Sequence, residues 1–292
     1  MIRKWIEAMR LRTLPVSVAG VLAGCGCAVW QNGFSFVPAL LCLLFALSAQ
    51  IASNFGNEYY DFMNGVDRKG REGFRRGVTE GDISPQMMKY ATFLMLGLAA
   101  LIGCLLLIFG PLWLIFVGCV ILLFALAYSA GPYPLSHHGL GDIAVVIFFG
   151  VVPVTFTCYL QTGEWGKLPI LLTTSVAIGL LAANVLIVNN YRDKEDDEAV
   201  GKNTTVVLFG RKAMSLVYLF SGIFAMVIMA PLWLQLPLWA IFAPLLYILL
   251  HILTWRRMSS SRGAALNPFL GRTALNLLIF TIMLLALFVC GR

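Results

Sequence analysis

The sequence predicts an all-α polytopic membrane protein, a bundle of nine transmembrane helices forming one transmembrane domain over residues 1–292. Three observations predict it. First, 60% of the residues are hydrophobic and only 12% charged, about half the charged share of an average soluble domain. Second, the apolar residues gather into long unbroken runs of bilayer-crossing length. Third, the basic residues fall almost entirely in alternate loops between those runs. Such a composition excludes a disordered chain, a secreted disulfide scaffold and an ordinary soluble enzyme.

The apolar runs cover residues 14–30, 36–54, 91–109, 112–130, 142–160, 168–189, 214–233, 237–255 and 273–290. Each is long and does not alternate, which marks a helix and not a barrel strand. Lipid admits only segments whose backbone groups are satisfied internally. The first run follows Arg3 and Lys4 with no small-residue processing site, so it reads as a retained helix. The third and fourth meet at Gly110–Pro111, a tight turn. The seventh and eighth are parted by a few residues around Pro237. Trp30, Trp113, Trp165 and Trp233 fall near run ends, as interfacial belt residues do.

Of 21 Lys and Arg residues, all but Lys167 and Arg292 lie in the N-terminal segment or in the loops after runs two, six and eight. Arg71 is among them. That asymmetry predicts a cytoplasmic N-terminus, and it also argues against a basic face for nucleic acid. The seven cysteines all sit inside apolar runs, where a thiol behaves as a small hydrophobe. There is no Cys-x-x-Cys pair or Cys/His cluster for zinc or disulfides.

The acids are concentrated. All but Glu7, Asp142 and Glu164 of the 14 fall between Glu58 and Asp82 or between Asp193 and Glu198. The two stretches resemble each other: Asn57-Glu58-Tyr59-Tyr60-Asp61 and Asn189-Asn190-Tyr191-Arg192-Asp193 share Asn, Tyr and Asp at alternate places. Positions four apart share a helix face, so Asn57 pairs with Asp61, and Asn189 with Asp193 and Asp197. Carboxylate and amide oxygens without sulfur or imidazole form a hard-cation set suited to Mg2+. Basic residues follow each motif: Arg68, Lys69, Arg75 and Arg76 after the first, Lys202 after the second. Acid and base interleaved in this way suit a metal–diphosphate complex. Arg75 and Arg76 fit a positive-inside anchor equally well. His137 and His138, adjacent in a loop, read as solvated residues.

The motifs resemble those of the UbiA-type intramembrane prenyltransferases, here as Asn57-Glu58-x-x-Asp61 and Asp193-x-x-x-Asp197. The likeness is closest to the branch that prenylates 1,4-dihydroxy-2-naphthoate in menaquinone biosynthesis. Arg10-Leu11-Arg12-Thr13-Leu14-Pro15, Gly139-Leu140-Gly141-Asp142 and Tyr159-Leu160-Gln161-Thr162-Gly163 carry that closer likeness. Two features depart from the pattern: Glu58 replaces an aspartate, and Glu72-Gly73-Phe74-Arg75-Arg76-Gly77 replaces a Gly-Pro-x-Arg stretch. The resemblance implies Mg2+ held by Asn57, Asp61, Asp67, Asn189, Asp193 and Asp197. It implies Asp61, Asp193, Asp197 and Lys202 in catalysis, and Arg12, Arg68, Lys69, Arg75, Tyr128, Arg192 and Lys202 in binding the substrates. Ionisation of a long polyprenyl diphosphate would leave an allylic cation near Tyr60, Tyr128, Tyr133 or Tyr191. The naphthoate would then attack with loss of CO2. No protein partner is implied beyond the bilayer. The alternatives are another aromatic acceptor, such as 4-hydroxybenzoate, and a cation-coupled transporter. A transporter would place acids near the bilayer midplane.

Overall fold

A computed structural model describes residues 2–70 and 72–291; Arg71 and Arg292 of the basic-residue pattern lie outside the described residues. The described residues form helices and loops with no strand beyond an isolated bridge between His138 and Asn203.

Each apolar run becomes helical. The helices are α1 (Ile2–Met9), α2 (Leu14–Trp30), α3 (Phe36–Met63), α4 (Pro85–Leu106) and α5 (Leu114–Ala127). The chain continues through α6 (Gly141–Val145), α7 (Val152–Thr162), α8 (Leu168–Arg192), the short α9 (Lys194–Ala199) and α10 (Thr205–Ile228). It ends with α11 (Ala230–Trp233), α12 (Phe242–Ser259) and α13 (Asn267–Cys290). Among the described residues, seven helical stretches are long and apolar enough to cross a bilayer. The expected nine therefore separate. Residues 14–30 qualify only together with α1, from which they bend by 56°. The helix α5 has 14 residues, roughly 21 Å at 1.5 Å per residue, short of a hydrocarbon core of about 30 Å.

Pro15 and Pro85 sit in the first turns of α2 and α4, where a missing N–H costs nothing. Ser84 caps α4 by accepting from the Met87 N–H. Between α6 and α7 the chain widens into a π-helical stretch, Val146–Val151. It lies against α8 at Gly150, where a Cβ would come within 2.3 Å of Gly179 Cα. Two glycines are thus required at the crossing. The helix α8 is the central post, with 72% of its membrane window buried inside the protein. By contrast α5 buries only Leu114.

Two of the helices that outrun their apolar runs carry the acidic motifs. The helix α3 continues to Met63 and α8 to Arg192. Each acidic motif therefore sits on or just beyond a helix end. At the opposite end, Lys167 lies 5.1 Å from the Trp30 ring, and Trp113 and Trp165 gather around Phe156 and Tyr159.

Candidate active site

The last turns of α3 bury Asn54, Asn57, Glu58 and Asp61. Asn54 Nδ2 donates to the Met9 carbonyl (2.9 Å), tying α3 to the N-terminal helix. Asn57 is a hub. Its Oδ1 accepts from Arg10 Nη2 (2.5 Å) and Arg76 Nη1 (3.3 Å). Its Nδ2 donates to Asp61 Oδ2 and Ser129 Oγ, both at 2.9 Å. The i, i+4 pairing of Asn57 with Asp61 is thus realised, and Ser129 adds the loop after α5.

Asp61 is fully buried. Its Oδ1 accepts no hydrogen bond among the described residues, and His137 Nε2 faces it at 3.6 Å. The solvated-loop reading of His137 is therefore corrected: its side chain is 16% exposed. The Asn203 N–H donates to the His137 carbonyl (3.0 Å), folding that loop onto the motif. Glu58 faces elsewhere, accepting from the Val78 N–H (3.0 Å). Its extra methylene lets it hold the loop after α3. Asp67 is buried with Arg76 Nε at 3.4 Å, and the Asp61 carbonyl accepts from the N–H groups of Val66 and Asp67 at 2.8 and 3.1 Å.

At the end of α8, Arg192 forks onto Asp193, with Nε to Oδ1 at 2.6 Å and Nη2 to Oδ2 at 2.8 Å. Nη2 also reaches Asn189 Oδ1 (2.8 Å) and Nη1 reaches Asn267 Oδ1 (3.0 Å). This is bidentate, charge-assisted pairing in a buried place. Lys202 Nζ lies 3.6 Å from Asp197 Oδ1. Phe74 is flanked by two guanidiniums, Arg12 at 4.3 Å and Arg192 at 5.0 Å from its ring centroid.

The loop after α3 crosses from one motif to the other. The Glu72 N–H donates to Asp196 Oδ2 (3.0 Å), and Glu72 Oε2 accepts from the Ala264 N–H (2.8 Å). Its far side is pinned at Asp82 by Lys4 (2.7 Å) and Arg75 (2.5 Å). The Lys4 hydrogen bond and the Arg75 charge hold the Asp82 carboxyl below the usual carboxylate range. Arg211, paired with Glu195, likewise lowers the Glu195 carboxyl and donates to the Tyr191 carbonyl (3.0 Å).

Together these elements enclose a cavity of about 550 Å3. Six basic side chains line it: Arg10, Arg12, Arg75, Arg76, Arg192 and Lys202. Asn57, Asn189 and Tyr128 also line it. Asp61, Asp193 and Asp197 are buried and are not among the lining side chains. Arg68 and Lys69 are exposed and stand apart from it. Of the four tyrosines considered for a cation, Tyr128 faces the cavity, Tyr133 stacks on His138 at 3.6 Å, and Tyr191 donates to the Ser259 carbonyl at 3.2 Å. Arg10 entered the sequence analysis only within the Arg10–Pro15 stretch and not as a site residue, and Ser129 did not enter it. Arg10, two residues before Arg12 in one basic stretch, carried a usable signal; Ser129 carried none.

A second, almost wholly apolar cavity of about 260 Å3 lies among α3, α4, α5 and the α6–α7 helix. The two share Gln50, Ser53, Tyr128, Val145 and Phe149 as walls, so they adjoin there at a common boundary, the neck. An anionic head fits the first cavity and a hydrocarbon tail the second.

The chain matches the UbiA prenyltransferase family over residues 17–282. It is 40% identical over 212 residues to a 1,4-dihydroxy-2-naphthoate octaprenyltransferase of Escherichia coli K12, covering 70% of this chain and 68% of that one. With a protein of the same description from Mycobacterium leprae it shares 32% over 287 residues, 96% of this chain and 94% of the other. Among solved structures, a UbiA homolog from Archaeoglobus fulgidus bound to DMAPP and Mg2+ superposes with a TM-score of 0.69 at 18% identity, covering 97% and 99% of the two chains. The apo structure of a UbiA homolog from Aeropyrum pernix K1 gives 0.70 at 16% identity, covering 95% and 96%. At such low identity these structures show the fold.

Proposed function

Because the chain belongs to the UbiA prenyltransferase family, we propose that it transfers a polyprenyl group from a long-chain prenyl diphosphate to 1,4-dihydroxy-2-naphthoate. CO2 is lost and demethylmenaquinol is formed. The curated relatives named above support this acceptor. The observation that carries the reading is the pair of cavities joined at a neck: one lined by six cations, the other apolar. A diphosphate with a hydrocarbon tail is matched to that shape. Its allylic carbon then sits at the neck.

Mg2+ is the fitting metal. The set Asn57, Asp61, Asp67, Asn189, Asp193 and Asp197 offers oxygen donors alone, and Asp61 Oδ1 is buried without a hydrogen bond among the described residues. No group of three or more His, Cys, Asp or Glu among the described residues is close enough to hold an ion as arranged. The Arg192 fork accounts for part of this, since it occupies both oxygens of Asp193. When bound, the ion supplies positive charge to the diphosphate leaving group.

The chain's own residues do the rest. Lys202, Arg12, Arg75, Arg76 and Arg192 bind phosphate oxygens and stabilise the charge that grows as the C–O bond breaks. Tyr128 and Phe149 present rings at the neck, where an allylic cation would lie. The apolar cavity holds the first part of the tail and keeps water from the cation. The protein acts as a multi-pass enzyme of a bacterial inner membrane, its single transmembrane domain presenting both motifs to the cytoplasm.

The test is direct. Purified protein with Mg2+ and a long prenyl diphosphate is offered several aromatic acids, and the products are read by mass. Prenylation of 4-hydroxybenzoate alone would refute the acceptor.

A further inference from the structure

Asp142 has no part in the chemistry above, yet it lines the polar cavity. It opens α6, and one helix face runs from Asp142 through Val145 to Phe149. Val145 and Phe149 are walls of the neck. Asp142 therefore stands one turn from the place where the allylic carbon lies. Its Oδ2 accepts from Thr205 Oγ1 (2.5 Å), which fixes the carboxylate from α10. Its Oδ1 is buried and has no hydrogen-bond partner among the described residues.

The other two acids on the cavity wall are engaged. Glu58 accepts from the Val78 N–H, and Glu7 pairs with Arg3 at 3.0 Å. A buried carboxylate oxygen without a donor is costly. A substrate hydroxyl placed at the neck would supply that donor. The acceptor proposed above carries a hydroxyl on the carbon next to the one that is prenylated. When that carbon meets the allylic carbon at the neck, the hydroxyl is on the adjacent ring carbon, about one helical turn from Asp142.

We propose that Asp142 is the base that takes the proton of the acceptor's hydroxyl ortho to the carboxylate. The inference rests on the functional reading above. As the hydroxyl proton passes to Asp142 Oδ1, the ring carbon bearing the carboxylate bonds to the allylic carbon. The prenyl C–O bond breaks and its electron pair leaves with the diphosphate. The ring is then a β-keto acid. Its carbon–carboxylate bond breaks, CO2 departs, and the electron pair passes through the ring to the oxygen. Asp142 returns the proton to that oxygen, which leaves a hydroquinone and an unchanged carboxylate. Thr205 is a positioning residue in this scheme.

Wild type, Asp142→Asn, Asp142→Glu and Thr205→Val are compared in one detergent. Four quantities are measured: kcat for transfer, KM for the donor, diphosphate release without acceptor, and melting temperature. General-base catalysis contributes about 10²–10⁴-fold. Asp142→Asn should therefore lower kcat at least about a hundredfold, with donor KM and acceptor-free diphosphate release within about threefold of wild type. Asp142→Glu should recover at least about tenfold of the lost rate, because it keeps a carboxylate. Thr205→Val should cost about tenfold or less. The proposal is overturned if Asp142→Asn keeps near-normal kcat. It is also overturned if Thr205→Val loses as much as Asp142→Asn, or if diphosphate release falls in step with transfer; either result makes Asp142 an anchor for α10. A wild type that prenylates no naphthoate sinks the functional reading and this role with it. An active wild type with an indifferent Asp142 sinks this role alone.

Discussion

Replacing Arg192 with alanine should destabilise the metal-free protein strongly and make its stability depend on magnesium. The side chains of Arg192 and Asp193 are 4% and 1% exposed, and the guanidinium contributes both N–H groups of a bidentate pair at 2.6 and 2.8 Å. It also holds Asn189 on its own helix and Asn267 at the start of α13. Removing one partner of a buried ion pair leaves an uncompensated charge, at a cost of about 3–5 kcal/mol. For a chain of this size that corresponds to a melting point lower by roughly 10 °C. Without the fork, both Asp193 oxygens lose their guanidinium donors, so Mg2+ should raise the melting temperature of Arg192→Ala more than that of wild type. In Arg192→Ala/Asp193→Asn the charge is gone, and much of the loss should return. Thermal unfolding in detergent, with EDTA and with Mg2+, measures all of this. If Arg192→Ala melts with the wild type in EDTA, the buried pair has little energetic weight. If the double variant is worse than the sum of the two single ones, the coupling has been assigned to the wrong partner.

Asp61→Asn should behave in the opposite way. Because Oδ1 accepts no hydrogen bond among the described residues, the change should leave the EDTA melting temperature nearly unaltered while lowering transfer by at least about a hundredfold; a large fall in stability with near-normal turnover would make Asp61 scaffold. Prenyl transfer should vanish in EDTA and return with Mg2+ or Mn2+, as an all-oxygen site requires, and full turnover after exhaustive chelation would exclude it. Reporter fusions at Gly73, Lys202 and Ser260 should read cytoplasmic, and those at Asn32, Gly163 and Gln235 should read external. A cytoplasmic signal at Gly163 would break the predicted orientation.

The helices were legible because insertion into lipid is a local property, decided by about 20 residues at a time. The run at 14–30 became α2 (Leu14–Trp30) without a shift of boundary. The i, i+4 rule paired Asn57 with Asp61, since a helix carries its own neighbours wherever it packs. The repeated motif and the basic loops around it pointed to one anionic site, and both motifs do meet at one cavity. Span number was less legible, because hydropathy does not report a bend such as that between α1 and α2, or the shortness of α5.

Everything that depends on partners distant in sequence was decided by the tertiary structure. Glu58 answers to Val78, His137 to Asp61, Asp142 to Thr205 and Glu72 to Ala264. No spacing rule links such pairs, since each joins helix ends or loops from separate parts of the chain. The same holds for the neck, whose walls come from α3, from the residue after α5 and from the α6–α7 helix. Residue types alone therefore pointed to a chemistry and to the helix ends that would carry it. Packing decided which carboxylate is sealed by an arginine, which is left open, and where head and tail of a substrate would part, because those outcomes depend on distances between elements that the sequence does not carry.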